Sequence, residues 1–523
     1  MPSPPTSYWS PNHGVGAWPV GPLASPTRSG SSWSSGSRPA GSVMCSIVRA
    51  AEVAVPTSHR SGGRPHVSPV RGMARGARRP RGWTGRVGPA SPRGNGDRAM
   101  RAPVRFAAAF AAASVVALLV GCAVGGEPSA QPSPTPAEEP GGGAGGEPGT
   151  IDPELQALLD ESAAAQVEAH ALGSLIGQIR VDGDVVAQVA LGEAVGGEPV
   201  TLDGRFRNGA VAITYVSVVM LRLAEEGVLD LDEPIGRWLP EIRDGDSVTP
   251  RMLANMTAGY HDYVGDPAFE DALAADPFRT WTNDDLIEVS LSAPRLFPAG
   301  ENWDYSHADY VVLGEVLEAA SGEPLDELIA REVLEPLGLG QTVASEDPSI
   351  PAPAVHAFTA ERGVWEDSTY WNPSWTLPEG AVQTSSIGDV TASFDAIVGR
   401  GELLEPASYD ALIAPDLVGF GEPLDGCRVC MTLVPEFAYG LGAFLSLDWV
   451  MQTPLFGGYA SAVATLPADR ADDGRSVTIA VAVTYTEDTF DDWDGALVNW
   501  GEDLARRLTR ELAPGNPAAQ PLG

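Results

Sequence analysis

Residues 206–241 read FRNGAVAITYVSVVMLRLAEEGVLDLDEPIGRWLPE. Within them Val211 to Glu226 is apolar-rich and unbroken, which predicts a long helix that Gly227 stops. Working outward, Ile176 to Val181 and Val185 to Leu191 are apolar-rich segments separated by Asp182-Gly183-Asp184, the composition of a tight β-hairpin. A second helix is predicted from Tyr310 to Ala320, ahead of Gly322. Strand patterning returns in Tyr439 to Leu447, Tyr459 to Leu466 and Val477 to Thr484, where β-branched residues alternate with smaller ones. A closing helix is expected from about Asp491 to Leu512, with Trp493, Leu497, Trp500, Leu504 and Leu508 on one face. Its acidic start (Asp491, Asp492, Asp494) and basic end (Arg506, Arg507, Arg510) suit the helix dipole. Strands at both ends around a helical middle predict an α+β fold, an antiparallel sheet lobe built from both termini with an all-helical lobe inserted between them.

The stretch from Phe206 resembles serine β-lactamases and D-alanyl-D-alanine carboxypeptidases, the penicillin-binding family, whose text there usually reads F-R-x-G-S-x-x-K, then a helix, an L-x-L-D-x-P turn and a Leu-Pro. The resemblance continues through PRMLANMTAGYHDY (250–263), PAGENWDYSHADYVVLGEVLEAASGEPLDELIAREVLEPLGL (298–339) and EGAVQTSSIGDV (379–390), covering most of residues 170 to 485. It implies a β-lactamase-like fold with the active site in the cleft between the two lobes.

In that family the serine at the start of the helix attacks a carbonyl, and the lysine one turn later helps take its proton. Here the serine position is Ala210 and the lysine position is Ile213. The family's Tyr-x-Asn element is Tyr305-Ser306-His307, so the tyrosine survives and the amide has become an imidazole. Its His-x-Gly or Lys-Thr-Gly element falls at PLFGGYASAVATLP (454–467): aligning the Leu-Pro end puts Gln452, just before that stretch, at the basic position, and allowing a gap puts Phe456 there; both lose the cation. The auxiliary His-Thr-Ser-Gly segment reads Met256-Thr257-Ala258-Gly259. No residue of the chain is a lysine, all 33 basic residues being arginine, and a guanidinium cannot shed its proton to act as a base. Losing nucleophile or base alone costs a comparable hydrolase roughly a millionfold in rate. The residues that the resemblance leaves for ligand binding are Tyr305, His307, Gly457 and Gly458, with Tyr305 and Tyr310 also suited to packing at the lobe interface.

Residues 1–99 carry 13 Arg against Glu52 and Asp97 amid Pro, Gly and Ser, a composition that cannot bury a core. They read as a disordered or non-translated extension, with translation starting at Met100. From Met100 to Gly121 an arginine-flanked apolar stretch ends in Leu119-Val120-Gly121-Cys122, which resembles a bacterial lipobox. The expectation is a signal peptide, lipid on Cys122, a flexible Gly/Pro/Glu tether from 122 to 150, a body from 151 to 512 and a disordered tail from 513 to 523. The localisation expected is extracytoplasmic, anchored to the bacterial cell membrane. Beyond residue 121, 33 less 15 leaves 18 Arg and 69 less 2 leaves 67 acidic residues, a net charge of −49 that excludes nucleic acid as a partner.

Cys427 and Cys430, in Cys-Arg-Val-Cys, read as an oxidised loop staple. A zinc site would need a second pair, and a redox motif a strand-to-helix setting that the text does not display. No cofactor or metal is expected: His170, His261, His307 and His356 are scattered without an H-E-x-x-H pattern. The leading expectation is a catalytically inactive homologue binding a peptide, a peptidoglycan fragment or a protein partner in the old cleft. One alternative is a serine hydrolase with relocated groups, drawing on Thr214, Ser217 or Ser306 with His261 or His307 as base and Asp262 or Asp309 behind it. The other is a structural surface protein.

Overall fold

A computed structural model describes residues 150–520 except 196, 346 and 491–496. Cys122, the signal segment and the extension before it lie outside the described residues. The main sheet consists of β1 (Leu172–Val181), β2 (Asp184–Gly192), β3 (Ala438–Tyr439), β4 (Phe444–Ser446), β5 (Trp449–Gln452), β6 (Leu455–Phe456), β7 (Tyr459–Leu466) and β8 (Val477–Tyr485). It is antiparallel, in the order β2-β1-β8-β7-β5-β4-β3, with β6 paired to β7. The termini meet at its centre, where β1 faces β8 in the register Ile179↔Ile479. The β1–β2 turn falls on Asp182 and Gly183, both at positive φ, as a two-residue hairpin requires.

Both faces of the sheet are covered, so β1, β7 and β8 are buried along nearly their whole length, and β7 and β8 are apolar but for Ser and Thr and a terminal Tyr. The helices involved are α1 (Pro153–His170), α2 (Val211–Glu225), α3 (His307–Ser321), α4 (Ile387–Phe394) and α5 (Trp500–Leu512). Gly177 of β1 looks toward Leu159 of α1, while its neighbours Gln178 and Arg180 hydrogen-bond with Thr391 of α4, so those two helices lie on opposite faces. Helix α5 packs beside α1 on β7 and β8, burying Leu504, Ala505 and Leu508.

Two expectations change at the C-terminal end. The closing helix begins at Trp500, and Leu497 lies outside it; Trp493 is outside the described residues. Asn499 sets the start: its side chain accepts from the Glu502 amide at 3.0 Å and donates to the carbonyl of Ser461 at 2.8 Å. The expected disordered tail is placed through residue 520 and packs on the sheet lobe. Ala518 is buried, and the Asn516 carbonyl accepts from Trp449 Nε1 at 2.7 Å.

The helical lobe is organised around α2, in which twelve of fifteen residues are buried, as expected of a helix apolar on every side. It packs on α3, whose N-terminus is capped by Ser306 and whose C-terminus ends at Gly322 in the left-handed region. The lobes are joined at Gly442, whose carbonyl accepts from Thr214 Oγ1 of α2 at 2.8 Å and from Gln452 Nε2 of β5 at 2.7 Å. Gly442 has φ 88°, and a methyl group there would strike Ser217 Oγ and Tyr310 Oη. The G442A variant is therefore expected to lose about 3 kcal/mol of stability from overpacking and backbone strain, measured by urea unfolding. Among the described residues no helix is long and apolar enough to cross a membrane.

Candidate functional site

The motif positions come together where α2 begins beneath the edge of the sheet. Gly209, at φ 49°, turns the chain into α2, and Ala210 occupies the N-cap without any side-chain bond to the helix amides. One turn on, Ile213 is almost fully buried. Both line a cavity of about 40 Å³ whose other walls include Tyr305, His307, Trp375, Phe444, Gln452 and Phe456. Position 210 thus faces the gap between the lobes. A methyl group has no lone pair with which to attack and a sec-butyl group accepts no proton, so the two residues that begin α2 supply neither half of a nucleophile and base pair.

The remaining walls are mostly hydrocarbon. Tyr305 stacks on Phe444 with ring centres 5.7 Å apart and stands edge-on to His307 at 5.4 Å. Burial pushes its phenol well above the usual tyrosine range, so it stays neutral. Phe456 meets Trp375 at 5.6 Å and, like Gln452, is one of the two positions that the resemblance offers for a basic residue. Gln452 also reaches the cavity, but its amide nitrogen donates inward to Gly442 and to Thr214 Oγ1. Gly457 and Gly458 do not line this cavity. They form the β6–β7 turn, where the Gly457 carbonyl accepts from Ser368 Oγ and a methyl group on Gly458 would strike the Phe358 carbonyl.

The hydroxyls considered for relocated catalysis are buried and committed. Thr214 donates to Gly442, Ser217 Oγ pairs with Tyr310 Oη at 2.9 Å, and Ser306 Oγ caps α3 by accepting from the Asp309 amide. His307 does meet a carboxylate, its Nδ1 lying 3.2 Å from Asp262 Oδ2 while its backbone amide donates to Oδ1. His170 and His356 lie elsewhere, the first stacked on Trp500 and the second 3.2 Å from Thr369 Oγ1.

Tyr305 and His307 also form part of a second cavity of about 100 Å³, a polar one, whose other walls include His261, Asp262, Asp304, Cys427 and Arg428. Cys427 and Cys430 are joined by a disulfide. Asp304 and the two sulfurs lie within 4.8 Å of one another, yet sulfurs bonded to each other offer a metal no thiolate. The sequence reading missed Asp304, Arg428 and Trp375. Asp304 had a signal as the residue preceding the surviving tyrosine, and Arg428 as the arginine within Cys-Arg-Val-Cys.

The Beta-lactamase family model matches residues 159–502. The chain belongs to the beta-lactamase family. Among curated relatives, Esterase EstB from Burkholderia gladioli is 34% identical over 211 residues, covering 36% of this chain and 54% of that protein. Penicillin-binding protein 4* from Bacillus subtilis (strain 168) is 24% identical over 257 residues, covering 46% and 56%. The chain spans about half the length of these curated relatives. Among solved structures, the D-stereospecific amidohydrolase from Streptomyces sp. superimposes with a TM-score of 0.53 at 25% identity, over 65% of this chain and 99% of that one. The D-amino acid amidase from Ochrobactrum anthropi SV3 complexed with D-phenylalanine shares the fold, with a TM-score of 0.53 at 18% identity, over 68% and 99%.

Proposed function

We propose that this chain is a catalytically silent member of the beta-lactamase family, exported and held at the outer face of the bacterial cell membrane by lipid on Cys122, that binds a short peptide or peptidoglycan fragment in the cleft beside Ala210. The observation that carries the reading is the joint presence of Ala210 and Ile213 in the wall of one cavity, with neither Gln452 nor Phe456, the two positions offered for a cation, bringing a charge to it. A cavity of about 40 Å³ has room for a few water molecules but not for a peptide, so the ligand lies across its mouth and draws its polar contacts from the adjoining cavity. Arg428 is the cation there, 4.0 Å from Glu270 and still substantially exposed, and it suits a peptide carboxylate.

Calorimetric titration with a disaccharide-pentapeptide and with a peptide ending in D-Ala-D-Ala is expected to give saturable binding that R428A weakens about tenfold. Mass spectrometry is expected to recover the ligand intact. Absence of saturation with both ligands, or appearance of a cleaved product, would count against the reading. For the anchor, C122S is expected to move the chain from the membrane to the soluble fraction. A second reading, a hydrolase built on relocated groups, draws on the His307–Asp262 contact. The three hydroxyls considered for it are engaged elsewhere, which is why binding is preferred.

A further inference from the structure

Cys427 lines the polar cavity, whereas Cys430, 8% exposed, lies behind it. Across 123 residues of sequence the chain brings Asp304 to Cys427, with Oδ1 3.2 Å from Sγ. A sulfur within a disulfide carries no hydrogen, so any hydrogen bond in that contact comes from a protonated Asp304 carboxyl. Asp304 is 5% exposed, and burial raises its pKa well above the carboxylate range; Asp262 pushes the same way and Arg428 opposes. The Cys430 amide donates to Cys427 Sγ at 3.0 Å, a dipole that also favours a thiolate on that sulfur. An accessible sulfur with a buried proton carrier beside it is the arrangement that sulfur exchange needs, and it requires no strand-to-helix setting.

We propose that Cys427–Cys430 is a thiol–disulfide exchange centre for small thiols and disulfides, with Cys427 as the exchanging sulfur and Asp304 as its proton donor and acceptor. A thiolate RS⁻ entering through the cavity attacks Cys427 Sγ. The S–S bond breaks, its electron pair moves to the Cys430 sulfur, and an R–S–S–Cys427 mixed disulfide forms. A second RS⁻ attacks the R sulfur, RSSR departs, and Cys427 leaves as a thiolate that takes the Asp304 proton. The two protons released when the two RSH molecules ionise restore the Asp304 carboxyl and protonate Cys430. The net change is two RSH and one disulfide to RSSR and two cysteine thiols. Run backwards, Asp304 carboxylate takes the Cys427 proton and the resulting thiolate attacks a small disulfide.

The titratable and charged groups facing Asp304 are Asp262, Asp309, His261, His307, Tyr305 and Arg428. Glu270, its own carboxyl raised to about 7 by burial, faces Arg428. The centre uses neither Ala210 nor a peptide ligand, so its test is independent of the binding proposal. Folded full-length chain would be exposed to glutathione from pH 5 to 9 without denaturant, free thiols alkylated, and Cys427 and Cys430 quantified by mass spectrometry. The disulfide is expected to open, and C430S, given glutathione disulfide in place of the thiol, to accumulate glutathione on Cys427 as one glutathione thiolate leaves. The rate per glutathione thiolate is expected to fall with rising pH as Asp304 loses its proton. D304N is expected to be about a hundredfold slower with a flat profile. Should D304N fail to fold, the wild-type profile carries the test alone. A disulfide that opens only on unfolding, or a per-thiolate rate independent of pH in the wild type, would overturn the proposal.

Discussion

Wild-type chain is expected to stay unlabelled by a fluorescent penicillin and by a fluorophosphonate, while A210S/I213K/F456G acquires slow labelling on the new serine. Two separate losses lead to that expectation. At the head of α2 there is no oxygen to attack and no amine to activate it, and losing such a pair costs on the order of a millionfold. The cavity beyond is closed by Phe456 against Trp375 and holds about 40 Å³. Restoring serine at 210 places a hydroxyl at an N-cap that now has no side-chain bond. Restoring lysine at 213 places an amine where burial favours its neutral, proton-accepting form. The double variant A210S/I213K is expected to remain unlabelled, because a lactam has no room while Phe456 stands. Labelling of the double variant would place the fault in the chemistry alone. Labelling of the wild type, mapped to any residue lining either cavity, would sink the silent-enzyme reading.

The parts of the fold that were legible are those whose patterns are local. Strands β7 and β8 and the β1–β2 hairpin could be placed because β-branched residues and Asp182-Gly183-Asp184 state both the strand and the turn. Helix α1 was missed because its buried positions, Leu159, Ala163 and Gln166, make a weak apolar stripe; Asp152 as N-cap and Pro153 at the first turn were the signals that could have found it. Tyr439 to Leu447 was read as one strand, but Gly440 to Ala443 interrupt it so that Gly442 can bridge the lobes. At the site, the spacing of family motifs was enough to gather Ala210, Ile213, Tyr305 and His307 around one cavity. Contacts between distant segments were not readable. The sequence offered Asp262 or Asp309 behind His261 or His307 without choosing among them, and nothing local says that Asp304 reaches Cys427.

The other large effect expected is on stability. D309N should raise the unfolding free energy at pH 8 by on the order of 2 kcal/mol, the scale on which a buried charge lacks compensation, and change it little at pH 4. Asp309 sits in the first turn of α3, fully buried, and neither carboxylate oxygen reaches a partner with hydrogen-bonding geometry. Burial raises its pKa well above the carboxylate range, Asp304 and Asp262 add to the rise, and the Ala258 amide and Arg295 offset only part of it. Tyr260, Tyr310 and Tyr439, which feel this carboxyl, have phenols that burial also raises and so stay neutral across the tested range. The folded chain therefore keeps a proton that the unfolded chain gives up near the ordinary aspartate value of about 3.9. Below that value the stabilisation is present in full; as pH rises through the raised native value it is lost. An asparagine has nothing to ionise, so the variant's stability should decline less with pH, leaving the slope that Asp304 imposes in the same direction. Urea unfolding at pH 4, 6 and 8 measures the divergence. A wild-type minus D309N difference that stays constant across those values would mean that Asp309 is already ionised in the folded chain and compensated there.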